Sequence, residues 1–224
     1  MLELRVYKKA ELAAIVGTND RQGIERKLQR NKVVYETSGR GENLVFEIIA
    51  IHDPFKIYAL WELKIDPHAD FIKIRNLYYY FFNCDGFAEL PVFKQAELLQ
   101  EDNRYVSEQT ITKWIEYLGK LQWIFINPRE FTYHAIYKDN QGKKVMKDIE
   151  RKLYAEGWKT YWTLKEEYAK NGEEHPGSLA YRKMVKLIGG HPFKKPLIEH
   201  NAFYAKDVEY MVGLITESFL NEEV

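Results

Sequence analysis

Apolar residues near the start of the chain repeat first with the period of a strand and then with the period of two helices. Alternation over residues 2–7 predicts a strand. Residues 8–17 predict a helix that ends at its final glycine, because glycine accepts the left-handed backbone of a helix C-terminus. Residues 21–31 predict a second helix. Its apolar positions Ile24 and Leu28 lie four residues apart and therefore share one inward face.

A β-hairpin is predicted directly after these helices. Strands over 33–36 and 44–49 flank a loop, 37–43, which contains two glycines suited to positive φ and carries Arg40 at its tip. The order strand, helix, tight turn, helix, hairpin resembles a winged helix-turn-helix of the MerR-like or excisionase-like kind. Three segments carry the resemblance: Ala10–Gly17, Ile24–Leu28 and Gly39–Gly41. The resemblance implies that residues 1–51 form a DNA-binding unit.

The middle of the chain predicts a connector followed by three helices. The connector, residues 52–69, holds two Asp-Pro turn signals around a mixed apolar run, 55–65, that predicts a strand. The next segment, 70–83, is apolar nearly all round and predicts a buried helix. Further helices are predicted over 92–100, after a proline suited to a helix start, and over 107–121, where a serine suits the N-cap.

A second hairpin is predicted after the third of these helices. Strands over 123–126 and 131–137 flank the expected turn Asn127-Pro128-Arg129, so three helices and a hairpin occupy residues 70–140. This order resembles the winged-helix domains of GntR-like and MarR-like regulators and of replication initiators. The positions that carry the resemblance are Val106, Ser107, Thr110, Ile111, Leu118, Leu121, Trp123 and Ile124. It implies a second winged-helix unit.

The C-terminal part of the chain is expected to be mostly helical. A turn is predicted at 139–142, a basic strand over 143–147, helices over 147–170, 178–188 and 207–221, and a loop at 191–196. The predicted fold class is therefore mainly α with small β-hairpin wings (α+β): two winged-helix units followed by a C-terminal helical segment. That segment, residues 141–224, is expected to act as a tail that packs against the second unit or pairs two chains.

Charge distribution decides where DNA binding is expected. The 224 residues contain 33 basic and 33 acidic side chains, so any attraction to DNA must come from local patches. Between Arg21 and Lys32 five basic residues face one acid, Glu25. The candidate DNA contacts of the first unit are Arg21, Gln22, Arg26, Lys27, Arg30 and Arg40. The competing interpretation is an ordinary solvated basic face, which the order of elements disfavours.

The predicted recognition helix of the second unit is electrically neutral. Glu108 and Glu116 balance Lys113 and Lys120, so release of counterions would contribute little to DNA binding. The side chains with base-reading or phosphate chemistry there are Gln109, Thr110 and Lys113. Two hypotheses remain open: this helix also touches DNA, or the unit serves dimerisation or binds a protein partner.

The sequence gives little evidence for other kinds of functional site. The one cysteine, Cys84, permits no internal disulfide and suits a reducing cytoplasm. Residues 1–20 lack a secretory signal, and no apolar run approaches the roughly 20 residues that cross a bilayer. The six histidines do not stand at metal-ligand spacings, and the segment 189–195 lacks the spacing of a phosphate loop. We expect neither a metal, nor a cofactor, nor an enzyme.

The leading expectation is a cytoplasmic, sequence-specific double-stranded DNA-binding protein. It would act as a homodimeric transcriptional regulator of a mobile element, such as a phage or plasmid, or of a bacterial operon. One alternative is a plasmid or phage replication initiator that binds origin repeats. Another is a non-enzymatic adaptor or inhibitor that uses its winged-helix folds to bind a protein partner. The C-terminal helical segment is a further candidate surface for such a partner.

Overall fold

The computed structural model describes residues 2–221, which are mainly α-helical with two small antiparallel sheets of three strands each. The described chain forms two compact units. Unit 1 contains residues 2–87, 92–123 and 201–221, and unit 2 contains residues 88–91 and 124–200. Residues 201–221, which include the final helix, thus belong to unit 1, whereas residues 141–200 of the segment expected to be a helical tail belong to unit 2.

The first elements of unit 1 follow the predicted order. They are β1 (Val6–Lys8), α1 (Lys9–Val16), α2 (Arg21–Arg30), β2 (Val33–Ser38) and β3 (Val45–Ile51). The sheet order is β1-β3-β2, so β3 is the central strand. Leu12, Ile24, Leu28 and Phe46 are fully buried between the helices and the sheet. Local signals set the helix ends: Gly17 has φ +68°, as the left-handed C-terminus of α1 requires.

The predicted strand within 55–65 is wrong, because this segment contains helix α3 (Pro54–Trp61). Asp53 accepts a hydrogen bond from the Lys56 N–H at 2.9 Å and so acts as the N-cap, and Pro54 occupies the first helical position. The Asp-Pro pair therefore starts a helix, since the missing N–H of proline costs nothing there. The second Asp-Pro pair does form a turn, closed by the bond from the Ala69 N–H to the Asp66 carbonyl oxygen.

The three predicted helices of the middle segment are confirmed. They are α4 (Phe71–Asn83), α5 (Val92–Glu101) and α6 (Glu108–Lys120). Ser107 accepts the Thr110 N–H and caps α6 as expected. Helix α9 (Ala205–Leu220) packs against α3 and α4, where the buried Ser218 hydroxyl accepts the Phe55 N–H at 3.1 Å and donates to Asp53 at 3.0 Å.

Unit 2 combines a sheet with a helical hairpin. Its elements are β4 (Ile124–Lys138), β5 (Lys144–Asp148), α7 (Arg151–Lys170), α8 (Pro176–Ile188) and β6 (His191–His200). The sheet order is β5-β4-β6. Helices α7 and α8 meet at Gly157, where Ile188 and Met184 approach so closely that a side chain on the glycine would collide with Ile188. The predicted basic strand and both helices are confirmed.

Two predictions in this unit are wrong. Asn127-Pro128-Arg129 does not reverse the chain: the Asn127 side chain accepts the Arg129 N–H at 3.0 Å, and the pairing of β4 with β6 is interrupted only between Asn127 and Phe131. The segment thus forms an irregularity within one long strand, a place that tolerates proline. The loop expected at 191–196 is part of β6, which lies at the edge of the sheet, where prolines are also accepted.

Among residues 2–221, no helix is both long enough and apolar enough to span a membrane.

Candidate nucleic-acid interface

Helix α2 presents a continuous polar row on the side opposite its core contacts. Ile24 and Leu28 are fully buried. With about 100° of rotation per residue, Gln22, Arg26 and Arg30 fall at successive turns on the far side of the helix. All three are exposed. Within the described chain, neither Arg26 nor Arg30 takes part in an ion pair. The structure therefore brings these three predicted residues together.

Asp20 fixes the start of this helix. Its carboxylate accepts the Gly23 N–H at 2.6 Å and the Thr18 hydroxyl at 3.0 Å. These bonds lower the pKa of Asp20, with the backbone N–H as the largest cause. Gly23 is required for this arrangement, because a Cβ there would come within 2.6 Å of the Thr18 hydroxyl oxygen and 2.5 Å of a carboxylate oxygen of Asp20. The cap leaves the first turn of α2 anchored with Gln22 at its surface.

Arg21 stands beside the row with part of its charge already paired. Its Nε lies 2.7 Å from a carboxylate oxygen of Glu25, four residues along the helix. The Arg21 side chain is nevertheless 52% exposed, so its remaining guanidinium nitrogens face solvent. An exposed pair of this kind holds weakly, and an added phosphate can compete for the arginine.

Lys27 points away from the row, toward helix α1. Its Nζ donates hydrogen bonds to the carbonyl oxygens of Val16 at 2.6 Å and Gly17 at 3.1 Å. These carbonyls are at the C-terminal end of α1, where backbone acceptors lack helical partners and the helix dipole favours a cation. The structure thus gives this predicted contact a role in joining the two helices.

Arg40 lies at the tip of the β2–β3 loop, as predicted. Its side chain is exposed and forms no ion pair within residues 2–221. Gly39 has φ +80° and passes so close to the Asn43 carbonyl that any side chain at position 39 would collide with the backbone. The loop closes through a bond from the Asn43 N–H to the Arg40 carbonyl oxygen at 3.1 Å. These features hold the arginine on a tight, protruding turn.

Sequence reasoning missed Gln29, which belongs to the same exposed side of α2. It is seven residues after Gln22 and so returns to nearly the same angle around the helix. Its Nε2 lies 3.3 Å from the Tyr35 hydroxyl oxygen on β2. A seven-residue search from Gln22 would have found it.

The three candidate DNA contacts on α6 have different surroundings. Gln109 is exposed, and Lys113 is exposed with its Nζ 4.9 Å from the Trp114 ring. The Thr110 hydroxyl lies 2.8 Å from the Ser107 hydroxyl within the helix cap, so it is occupied locally. Glu108 and Glu116 border the same shallow groove as Gln109 and Lys113. This face therefore mixes both signs of charge, unlike the outer row of α2.

Two titratable groups outside this surface, His134 and Cys84, have surroundings that suit a structural role. His134 on β4 is buried, with Nδ1 2.7 Å from Asp148 on β5 and Nε2 2.9 Å from the Thr132 hydroxyl. Burial raises the pKa of the Cys84 thiol, which keeps it in the less reactive protonated form. In the part of the chain that the structure describes, no three His, Cys, Asp or Glu side chains are grouped so that they could hold a metal ion.

No model of a known protein family, no curated protein and no solved structure matches the chain. The geometry of α2, of the β2–β3 loop and of the groups around them is therefore the basis for proposing a function.

Proposed function

We propose that unit 1 binds double-stranded DNA in a sequence-specific manner through the outer row of α2. The observation that carries the proposal is the exposure of Gln22, Arg26 and Arg30 on one side of the helix, opposite its buried contacts. A helix fits the major groove, where arginine can pair with guanine through two hydrogen bonds and glutamine with adenine through two. The row thus combines base-reading groups with phosphate-binding groups.

The β2–β3 loop supplies a second contact to the duplex. Arg40 on its tight turn can reach a phosphate, or a narrow minor groove with strongly negative potential. Arg21 at the start of α2 can bind a phosphate once its ion pair with Glu25 is broken. Lys27 is left out of the contact set because its amine is engaged by α1.

Local charge has to provide the affinity, since the whole chain is neutral. Each phosphate contact releases counterions, and the logarithm of the binding constant should fall linearly with the logarithm of salt concentration. In a regulator, two copies of unit 1 would face the half-sites of a palindrome about 34 Å apart, which is the basis for proposing a homodimer. We place this protein in the cytoplasm, where its target DNA and a reducing environment for Cys84 are found.

The decisive experiment is selection of bound sequences from random double-stranded DNA, followed by measurement of the size of the complex in solution. An inverted repeat bound by two chains supports a transcriptional regulator of a mobile element or bacterial operon. Direct repeats bound by single chains support a replication initiator. If no duplex is retarded at low salt while a stable protein complex is recovered, the DNA proposal is wrong and the adaptor alternative takes its place.

Variants assign the interface. Replacing Arg26 and Arg30 together by alanine should lower the slope of log affinity against log salt by about two. The matched control replaces Lys159 and Lys206 by alanine. Both lysines are also exposed, and their replacement removes the same amount of positive charge. Replacing Gln109 and Lys113 by alanine decides whether α6 also touches DNA. An unchanged affinity and slope for the arginine variant would refute the assignment to α2.

A further inference from the structure

A second surface with nucleic-acid chemistry lies in unit 2, along helix α8. A groove of about 390 Å³ opens there. Its walls bring together the aromatic rings of Tyr168, Tyr181 and His191 and the cations Arg182, Lys183 and Lys186. None of the residues that line this groove is acidic. Its volume falls within the range of ligand-binding clefts, which usually combine apolar walls with a few polar groups.

The cations of this groove are presented together. Helix α8, Pro176–Ile188, contains three basic side chains and no acidic one. Arg182, Lys183 and Lys186 are exposed, and within residues 2–221 none of them forms an ion pair. Arg182 and Lys186 are four residues apart, and Lys183 and Lys186 are three apart, so all three share one side of the helix. That side of the helix therefore carries three positive charges and no acidic side chain of its own.

The aromatic walls are held in place by contacts within the unit. The Tyr181 and His191 rings have centroids 5.8 Å apart and planes inclined by 33°, and the Tyr181 hydroxyl lies 3.3 Å from His191 Nδ1. Tyr181 also makes an edge contact with Tyr161, with ring centroids 6.4 Å apart. A ring fixed in this way can offer a face to a planar ligand without a large loss of conformational freedom.

We propose that this groove binds single-stranded nucleic acid, with phosphates on Arg182, Lys183 and Lys186 and a base stacked against the aromatic wall. Proteins that bind single strands combine cations along the backbone path with aromatic rings on which bases stack. An acidic peptide would use the cations but would leave the aromatic faces without a matching partner. The inference goes beyond duplex binding by unit 1, because it gives the protein a second contact suited to an opened strand.

The test measures binding of the full chain to a fluorescent oligo-dT of about 15 nucleotides by anisotropy, in the background of the Arg26 and Arg30 alanine variant. This background weakens the proposed duplex interface, so that it contributes less to the measured binding. Replacing Arg182, Lys183 and Lys186 by alanine should weaken binding by at least about tenfold and reduce the salt slope by about two, since single strands contribute roughly 0.7 per phosphate. The matched control replaces Lys138, Lys143 and Lys147, which are exposed on the β4–β5 hairpin of the same unit.

A separate pair of variants tests the aromatic wall. Tyr181→Phe keeps the ring and should retain oligo-dT binding, whereas Tyr181→Leu should weaken it about tenfold. Circular dichroism and thermal unfolding of both variants show whether unit 2 still folds. The proposal is overturned if the chain does not bind oligo-dT, if the control triple variant loses as much affinity as the groove variant, or if polyglutamate competes as well as unlabelled oligo-dT. Duplex binding by the chain with intact Arg26 and Arg30 is measured separately, so a failure of either proposal can be distinguished.

Discussion

The Nζ of Lys27 lies 2.6 Å from the carbonyl oxygen of Val16, across the turn between α1 and α2. A side chain in the middle of the basic helix therefore caps the preceding helix. This contact fixes the orientation of α2 through a charged hydrogen bond to an otherwise unpaired backbone acceptor. It also divides the basic residues of α2 into one that supports the fold and others that remain available to a ligand.

Replacing Lys27 by methionine should show that this side chain supports the fold of unit 1. The variant keeps most of the aliphatic stem but loses the bonds to Val16 and Gly17. We expect the free energy of unfolding in urea to fall by about 1.5–3 kcal/mol, the usual contribution of a hydrogen bond to a charged group. Arg26→Met is the matched control and should change stability by less than about 0.5 kcal/mol, because Arg26 is exposed and unpaired. Equal stability losses in both variants would contradict this division.

The cap of α2 should make stability depend on pH in the acid range. The Gly23 N–H and the Thr18 hydroxyl lower the pKa of Asp20 below the ordinary value of 3.8. The stabilisation is therefore complete above about pH 4 and is lost as the pH falls through the lower folded-state pKa. Asp20→Asn keeps an acceptor oxygen but cannot titrate. Thermal unfolding from pH 5 to pH 2.5 should show a smaller fall in Tm for this variant, and parallel curves would exclude the effect.

The contact between α7 and α8 should not tolerate a larger residue at position 157. A Cβ on Gly157 would lie 2.7 Å from Ile188 Cγ1 and still closer to Cδ1. Gly157→Ala should lower the stability of unit 2 by about 1–3 kcal/mol, even though alanine favours helices, because the core must be displaced. Adding Ile188→Val removes the nearest methyl group and should restore part of the loss. A Gly157→Ala variant as stable as the wild type would show that the helices have room to separate.

Lys195 should make the stability of unit 2 depend on pH in the alkaline range. Burial lowers the pKa of Lys195 to about 8, while Glu89 acts weakly in the opposite direction. The amine donates to the carbonyl oxygens of Ala88 and Leu90. Between about pH 8 and 10 the unfolded chain binds more protons at this site, so stability should rise with pH by no more than about 1.4 kcal/mol per pH unit.

The contribution of Lys195 is isolated by subtracting the unfolding free energy of a Lys195→Met variant from that of the wild type. Lys195→Met cannot titrate, whereas the other lysines and the tyrosines remain. The difference between wild type and variant in urea unfolding at pH 7.5, 8.5 and 9.5 should therefore shift in favour of the wild type as the pH rises. A difference that is constant over this range would show that Lys195 titrates normally.

The exposed row of the candidate interface could be predicted because it depends on helical geometry alone. Once α2 is placed between Asp20 and Asn31, the spacing of Gln22, Arg26 and Arg30 fixes their common side. The engagement of Lys27 could not be predicted in the same way. It depends on where the turn brings the end of α1, which is a matter of packing.

The amino-acid sequence by itself determined the first elements of unit 1, from β1 to β3, and most of the helices other than α3. Caps, glycine turns and apolar spacing act between residues a few positions apart, and these signals agree from β1 to β3 and again at Ser107. Tertiary structure alone decided the pairing of β4 with β6, about 65 residues later in the chain, and the return of α9 to unit 1. A segment that contains proline, such as Asn127-Pro128-Arg129, has the same local sequence pattern whether it forms a loop, an irregularity within a strand or part of an edge strand. Only the distant partner strand, with the hydrogen bonds and burial it supplies, selects among these conformations.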